Sequence, residues 1–164
     1  MKKIITLFTL ATFALGFFYS NSTAMAQTTF NAPSQTETVP LEDGDYLETT
    51  ILDAPTFPSG VSPFSTTKTI TKTKITKYKN KSGSVLWSVS IRATFTYNGS
   101  TAKCTSCSHS TTCPAKTWKI KSVSSSKSGN SATAKATATH SSNSISRDFT
   151  KSVTISCSKN GTVS

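Results

Sequence analysis

Residues 85–97 read Val-Leu-Trp-Ser-Val-Ser-Ile-Arg-Ala-Thr-Phe-Thr-Tyr, and every odd position from Val85 to Tyr97 is apolar. After Leu86 the even positions are Ser88, Ser90, Arg92, Thr94 and Thr96. A period of two sustained this long fits a strand with one dry face and one wet face. Each large side chain buried on that face stabilises by roughly 1.5–3 kcal/mol, which makes the segment the spine of a small domain. Turn signals bracket it, Asn80-Lys81-Ser82-Gly83 before and Asn98-Gly99 after, so it should have antiparallel neighbours on both sides.

Further strands follow the same logic. Asp45 to Asp53 is a short segment apolar on both sides, either the first strand of a sandwich or a strap laid across it. Lys68 to Lys79 is a Thr- and Ile-bearing strand, with Ile70 and Ile75 five apart and hence on opposite faces unless a bulge near 72–74 reconciles them. Ser100 to Thr105 returns along the spine, and Trp118 to Ser122 is another strand, with a turn at Lys127 to Asn130. Ala132, Ala134, Ala136 and Ala138 alternate with Thr133, Lys135, Thr137 and Thr139. Alanine favours a helix, but the period of two and the β-branched threonines decide for a strand. Its small face lets an opposing sheet approach closely and leaves room for Trp87 or Trp118. Val153, Ile155 and Cys157 form the inward face of the last strand. About seven short strands imply an all-β fold, a single antiparallel β-sandwich, immunoglobulin-like in architecture and almost free of helix. The Cys-Trp-Cys spacing of antibody domains is missing. With hydrophobic content at only 35%, a thin two-layer core is the architecture the chain can fill.

The N-terminus has a different character. Lys2 and Lys3 precede an apolar run from Ile4 to Tyr19, and Ala24-Met25-Ala26 completes a signal peptide over residues 1–26. Cleavage is expected between Ala26 and Gln27. The run is too short for a membrane span. No Cys adjoins the cleavage point and no apolar tail follows Gly161, so the expected product is released, with no stable membrane insertion. Residues 27–66 form an acidic, Pro-containing arm, irregular except for the short strand near 45–53. Residues 67–164 form the basic sandwich domain. Six acids and no Lys or Arg lie in residues 27–67, whereas residues 68–164 hold sixteen Lys and Arg and one acid, Asp148. A chain polarised in this way pairs an acidic arm with a basic body.

Two groups of side chains are candidates for function. Lys68, Lys72, Lys74, Lys77, Lys79 and Lys81 form a ribbon that suits an anionic polymer, although lysines on an edge strand also serve simply to block edge-to-edge aggregation. Cys104, Cys107, Cys113 and Cys157, in an exported chain, imply two disulfides with three possible pairings. Cys107 and Cys113 flank the short polar stretch Ser108 to Thr112 and can close it locally. Cys104 with Cys157 would join the last strand to the spine's sheet and contribute about 2–4 kcal/mol. A metal set of Cys104, Cys107, His109 and Cys113 loses to oxidation, because His109 follows Cys107 too closely for a zinc knuckle. No metal or other cofactor is expected.

Catalysis needs titratable groups in number, and the body offers His109, His140 and Asp148. No nucleophile elbow, phosphate loop or H-E-x-x-H motif occurs. A His140–Asp148–Ser triad is a coincidence that serine abundance makes easy. The expectation is a non-enzyme.

The run Tyr78-Lys79-Asn80-Lys81-Ser82-Gly83-Ser84-Val85-Leu86-Trp87-Ser88-Val89, continued by Phe95-Thr96-Tyr97-Asn98-Gly99-Ser100, resembles a group of small exported proteins of Gram-positive bacteria. Trp118-Lys119-Ile120 and Cys157-Ser158-Lys159-Asn160-Gly161 are similar too, so the likeness covers residues 45–161. It implies a secreted bacterial setting and one unit built on Trp87 and Tyr97, and it brings no activity or ligand with it. The functional expectation is a secreted binding module for an anionic wall polymer, a glycan or extracellular DNA, with a cationic effector as the alternative. A third reading has the acidic arm mask the basic body.

Overall fold

The computed structural model describes residues 35–53 and 66–164. The leader, its Ala26–Gln27 junction and the Pro-rich segment around Pro58 lie outside the described residues. Eight strands form: β1 (Gln35–Pro40), β2 (Tyr46–Asp53), β3 (Lys68–Lys79), β4 (Val85–Tyr97), β5 (Ala102–Thr112), β6 (Trp118–Ser128), β7 (Ser131–Ser142) and β8 (Ile145–Ser156). All neighbours pair antiparallel, giving a five-stranded sheet β1-β2-β3-β4-β5 over a three-stranded sheet β6-β7-β8. The chain is an all-β sandwich, and among the described residues the helical content is one 3₁₀ turn at Glu42–Gly44. No helix of the described residues is long and apolar enough to cross a membrane.

The spine behaves as its pattern dictates. Trp87, Val89, Ile91, Ala93 and Phe95 are buried, while Arg92 between them is exposed. Opposite them stands β7, whose Ala132, Ala134, Ala136 and Ala138 are buried together with Val153 and Ile155 of β8 in the same cluster. Large side chains on one sheet meet methyl groups on the other, the alternation that fills a thin core at close packing. The outward faces are zipped by hydroxyls across strands, Thr71 to Thr94 at 2.9 Å, Thr133 to Thr154 at 2.9 Å and Thr137 to Thr150 at 2.8 Å.

The sheets are also stitched at one edge. The Cys104 amide donates across to the Gly129 carbonyl at 2.8 Å, while the Cys157 amide extends the β7–β8 ladder to the Asn130 carbonyl at 3.0 Å. The C-terminal turn folds over Tyr97. Gly161 has φ +87°, and a Cβ there would stand 2.4 Å from the Tyr97 ring, so both backbone and space require glycine.

Three local readings change. Residues 35–40, taken as irregular arm, pair with β2 as a fully exposed edge strand. Their polar sequence gives no amphipathic signal, and the ladder alone holds them. Ile70 and Ile75 stay on opposite faces, because the register of β3 on β4 runs unbroken from Lys68 to Tyr78 and shifts only at Tyr78/Lys79. Finally, β5 continues to Thr112, through the stretch expected to be a loop between Cys107 and Cys113.

Candidate functional site

The lysine ribbon does not form one stripe. Lys68, Lys72 and Lys74 sit opposite Tyr97, Ala93 and Ile91 on the inward face of β3, whereas Lys77, opposite Ser88, points outward. The three-residue step from Lys74 to Lys77 switches face in an extended chain. Nor is β3 an edge, since β2 covers its free side. That strand brings acids: Asp53 pairs with Lys72, and Glu48 accepts from Lys79 at 2.6 Å and from Lys77 at 3.3 Å. The hydrogen bond from Lys79, helped by Lys77 and opposed by partial burial, holds the Glu48 carboxyl below its usual range. Lys68 and Lys81 remain exposed, Lys81 in the turn after the strand.

The four cysteines are free, which corrects the expectation of two disulfides. Cys107 and Cys113 are six residues apart along an extended strand, a span of ~20 Å, whereas bridged Cα atoms stand within about 7 Å. Cys104 and Cys157 lie buried on either side of the Gly129–Asn130 turn. Each thiol faces a carbonyl of its own segment at 3.4 Å, Ser106 for Cys104 and Ser158 for Cys157. Burial pushes the thiols of Cys104, Cys113 and Cys157 up, which favours the protonated, unreactive form.

The histidines and Asp148 do not meet. His140 and Asp148 belong to adjacent rungs of the β7–β8 ladder, where Thr139 faces Asp148 and His140 faces Arg147. Adjacent rungs point to opposite faces. Asp148 is engaged by Lys121 at 2.5 Å and Thr139 at 2.6 Å, which lower its pKa, Lys121 foremost. His109 bonds Ser125 at 2.8 Å across the β5–β6 edge.

What sequence reading missed is a cleft of about 970 Å³ at one end of the sandwich. Its floor is aromatic, formed by Tyr78 at the end of β3 and Phe149 of β8, with ring centroids 6.0 Å apart in an edge arrangement. Behind them Trp118 packs 5.2 Å from Tyr78 and 5.0 Å from Phe149, and stacks on His140 at 4.7 Å and 20°. One wall is the β1–β2 connection with Glu42, Asp43 and Asp45; the other is the β7–β8 hairpin with His140 and Arg147. Asp43 takes a left-handed backbone, φ 62°, that turns the connection toward the cleft. Burial chiefly, then the charge of Asp45 and its hydrogen bond with the Tyr78 hydroxyl, raises the Tyr78 pKa. The acids were visible as a cluster, but the aromatics sit far away in sequence and no spacing links them. No protein-family model matches this chain, and searches of the curated proteins and of the solved structures find no match either.

Proposed function

We propose that the chain is an exported, non-catalytic binding module for a linear polyanion of the cell envelope, a wall polyphosphate being the first choice. One observation carries the reading. Of the sixteen Lys and Arg in residues 68–164, four, Lys72, Lys77, Lys79 and Lys121, are held by carboxylates, and the rest have no acid partner among the described residues. Every acid of the chain is itself among the described residues, so nothing else in it offers them a carboxylate side chain.

These cations cover the body instead of forming a line. Arg92 and Lys103 stand on the outward face of the five-stranded sheet, and Lys119 and Lys135 on that of the three-stranded sheet. Lys74 and Lys151 stand on the inward faces of β3 and β8, which pack together. Such a surface attracts a polyanion from any side and gains its affinity by releasing counterions. Export rests on the Lys2-Lys3 leader and the Ala24-Met25-Ala26 site, in keeping with the Gram-positive resemblance.

Retention on immobilised teichoic-type polyphosphate in rising salt tests the proposal. The logarithm of the binding constant should fall linearly with the logarithm of salt. Retention indifferent to salt removes electrostatics as the cause. A duplex DNA column retaining the chain to the same salt shows that charge density alone is read.

A further inference from the structure

The end cleft differs from the body that surrounds it. Three of the seven acids of a chain with formal charge +11 line this one opening. Glu42 and Asp43 are exposed there and have no ion pair among the described residues. Of the four acids elsewhere, Glu48, Asp53 and Asp148 each hold at least one lysine, and Glu37 stands exposed and without an ion pair on the edge strand. Carboxylates kept free beside an apolar floor would serve a polyanion badly. They repel it and oppose locally the long-range attraction of the body.

The three surfaces of the cleft set three demands on an occupant. The Tyr78 and Phe149 rings ask for a flat ligand face rich in C–H groups, as one side of a pyranose ring presents. Glu42 and Asp43 accept hydrogen bonds and favour a positive charge. Arg147 opposite donates, and ring or hydroxyl oxygens of a sugar can accept from it. At about 970 Å³ the opening is large enough for a short oligosaccharide.

We infer that the end cleft is a binding site for an amino-sugar oligosaccharide with free amines. The ammonium lies against Glu42 and Asp43, the apolar ring face lies on Tyr78 and Phe149, and the hydroxyls reach Arg147 and His140. The site is largely separate from the polyanion surface, since Arg147 alone of the unpaired cations invoked there lines the cleft.

Titration of the full chain with a glucosamine trimer and, in parallel, with its N-acetylated counterpart tests this, read by calorimetry and by tryptophan emission. Trp118 reports occupancy because it contacts Tyr78, Phe149 and His140. The glucosamine trimer should bind at least tenfold tighter than the acetylated one. E42Q/D43N should bring the two within twofold while leaving polyphosphate retention no weaker. F149A should weaken both sugars; its folding is checked by circular dichroism, and Phe149→Leu, which keeps the apolar volume but loses the ring, serves if it melts early. No heat and no emission change with either sugar, equal binding of both sugars to the unmodified chain, or preference for glucosamine surviving in E42Q/D43N would each overturn the assignment.

Discussion

Strand β3 and the end cleft treat charge in opposite ways. On β3 the lysines are clustered in sequence, yet three of them are met by Glu48 and Asp53 from the neighbouring strand. In the cleft the charged groups come from the β1–β2 connection and the β7–β8 hairpin, and Glu42 and Asp43 are exposed with no ion pair among the described residues. A charge run in sequence is thus the less informative signal, because a strand's partners are chosen by register, and register can deliver counter-charges. Acids left unpaired beside an aromatic floor carry more functional content than lysines that are satisfied.

The comparison is broken most severely by removing what the cleft stands on. Trp118→Ala deletes the ring that joins Tyr78, Phe149, His140 and Trp87. A loss of about 3–5 kcal/mol is expected in chemical denaturation. Lys77 and Lys79 should keep their pairs with Glu48, since Trp118 is not part of them.

A smaller effect comes from unmasking β3. Replacing Glu48→Gln together with Asp53→Asn frees Lys72, Lys77 and Lys79, so polyphosphate should elute at higher salt. Each additional phosphate engaged steepens the salt slope by about 0.9 for a duplex-like charge density. The pairs are half-buried, so the cost in stability should exceed that of exposed ion pairs, at about 1–2 kcal/mol per pair. An unchanged elution point would show that the second strand does not mask these lysines.

The pH dependence follows from the same residue. The Glu48 carboxyl is held below its ordinary value of 4.5 in the folded chain, chiefly by Lys79. A depressed carboxyl stabilises at pH above that ordinary value, and its contribution is lost as pH falls through the lower folded value. Denaturation midpoints should therefore decline below pH 4.5, and the decline should be shallower in Glu48→Gln. In the same window polyphosphate retention should rise.

The smallest effect concerns β5, which serves as a ruler for whether extended strands fix residue placement. Cys113→Ser should shift stability by no more than about 0.5 kcal/mol. Non-reducing peptide mapping should find no fragment joining Cys107 to Cys113. Finding that link would mean the strand ends before Thr112, and that the chain turns where Ser108 to Thr112 were first expected to turn.

Much of the fold was legible because alternation is a local property. Trp87 to Tyr97 and Ala132 to Ala138 each declare two faces, and no partner has to be known to read them. β1 was illegible for the converse reason: Gln-Thr-Glu-Thr-Val-Pro buries nothing, so only the ladder to β2 makes it a strand. The missing bulge on β3 has a similar cause. Hydrophobic pattern argues for uniting Ile70 and Ile75, but continuous pairing with β4 from Lys68 to Tyr78 outweighs one isoleucine's preference.

By itself the sequence determined the sandwich, its dry and wet faces, its turns and the separation of acidic from basic segments, all of which depend on neighbours in the chain. Only the tertiary structure decided which lysines are neutralised, that the cysteines stand apart, and that Tyr78, Phe149, Arg147 and Glu42 share an opening. The physical reason is range. Side-chain direction alternates with each residue and can be counted along the backbone, whereas a site is made where strand ends from different sheets converge, and convergence is set by packing.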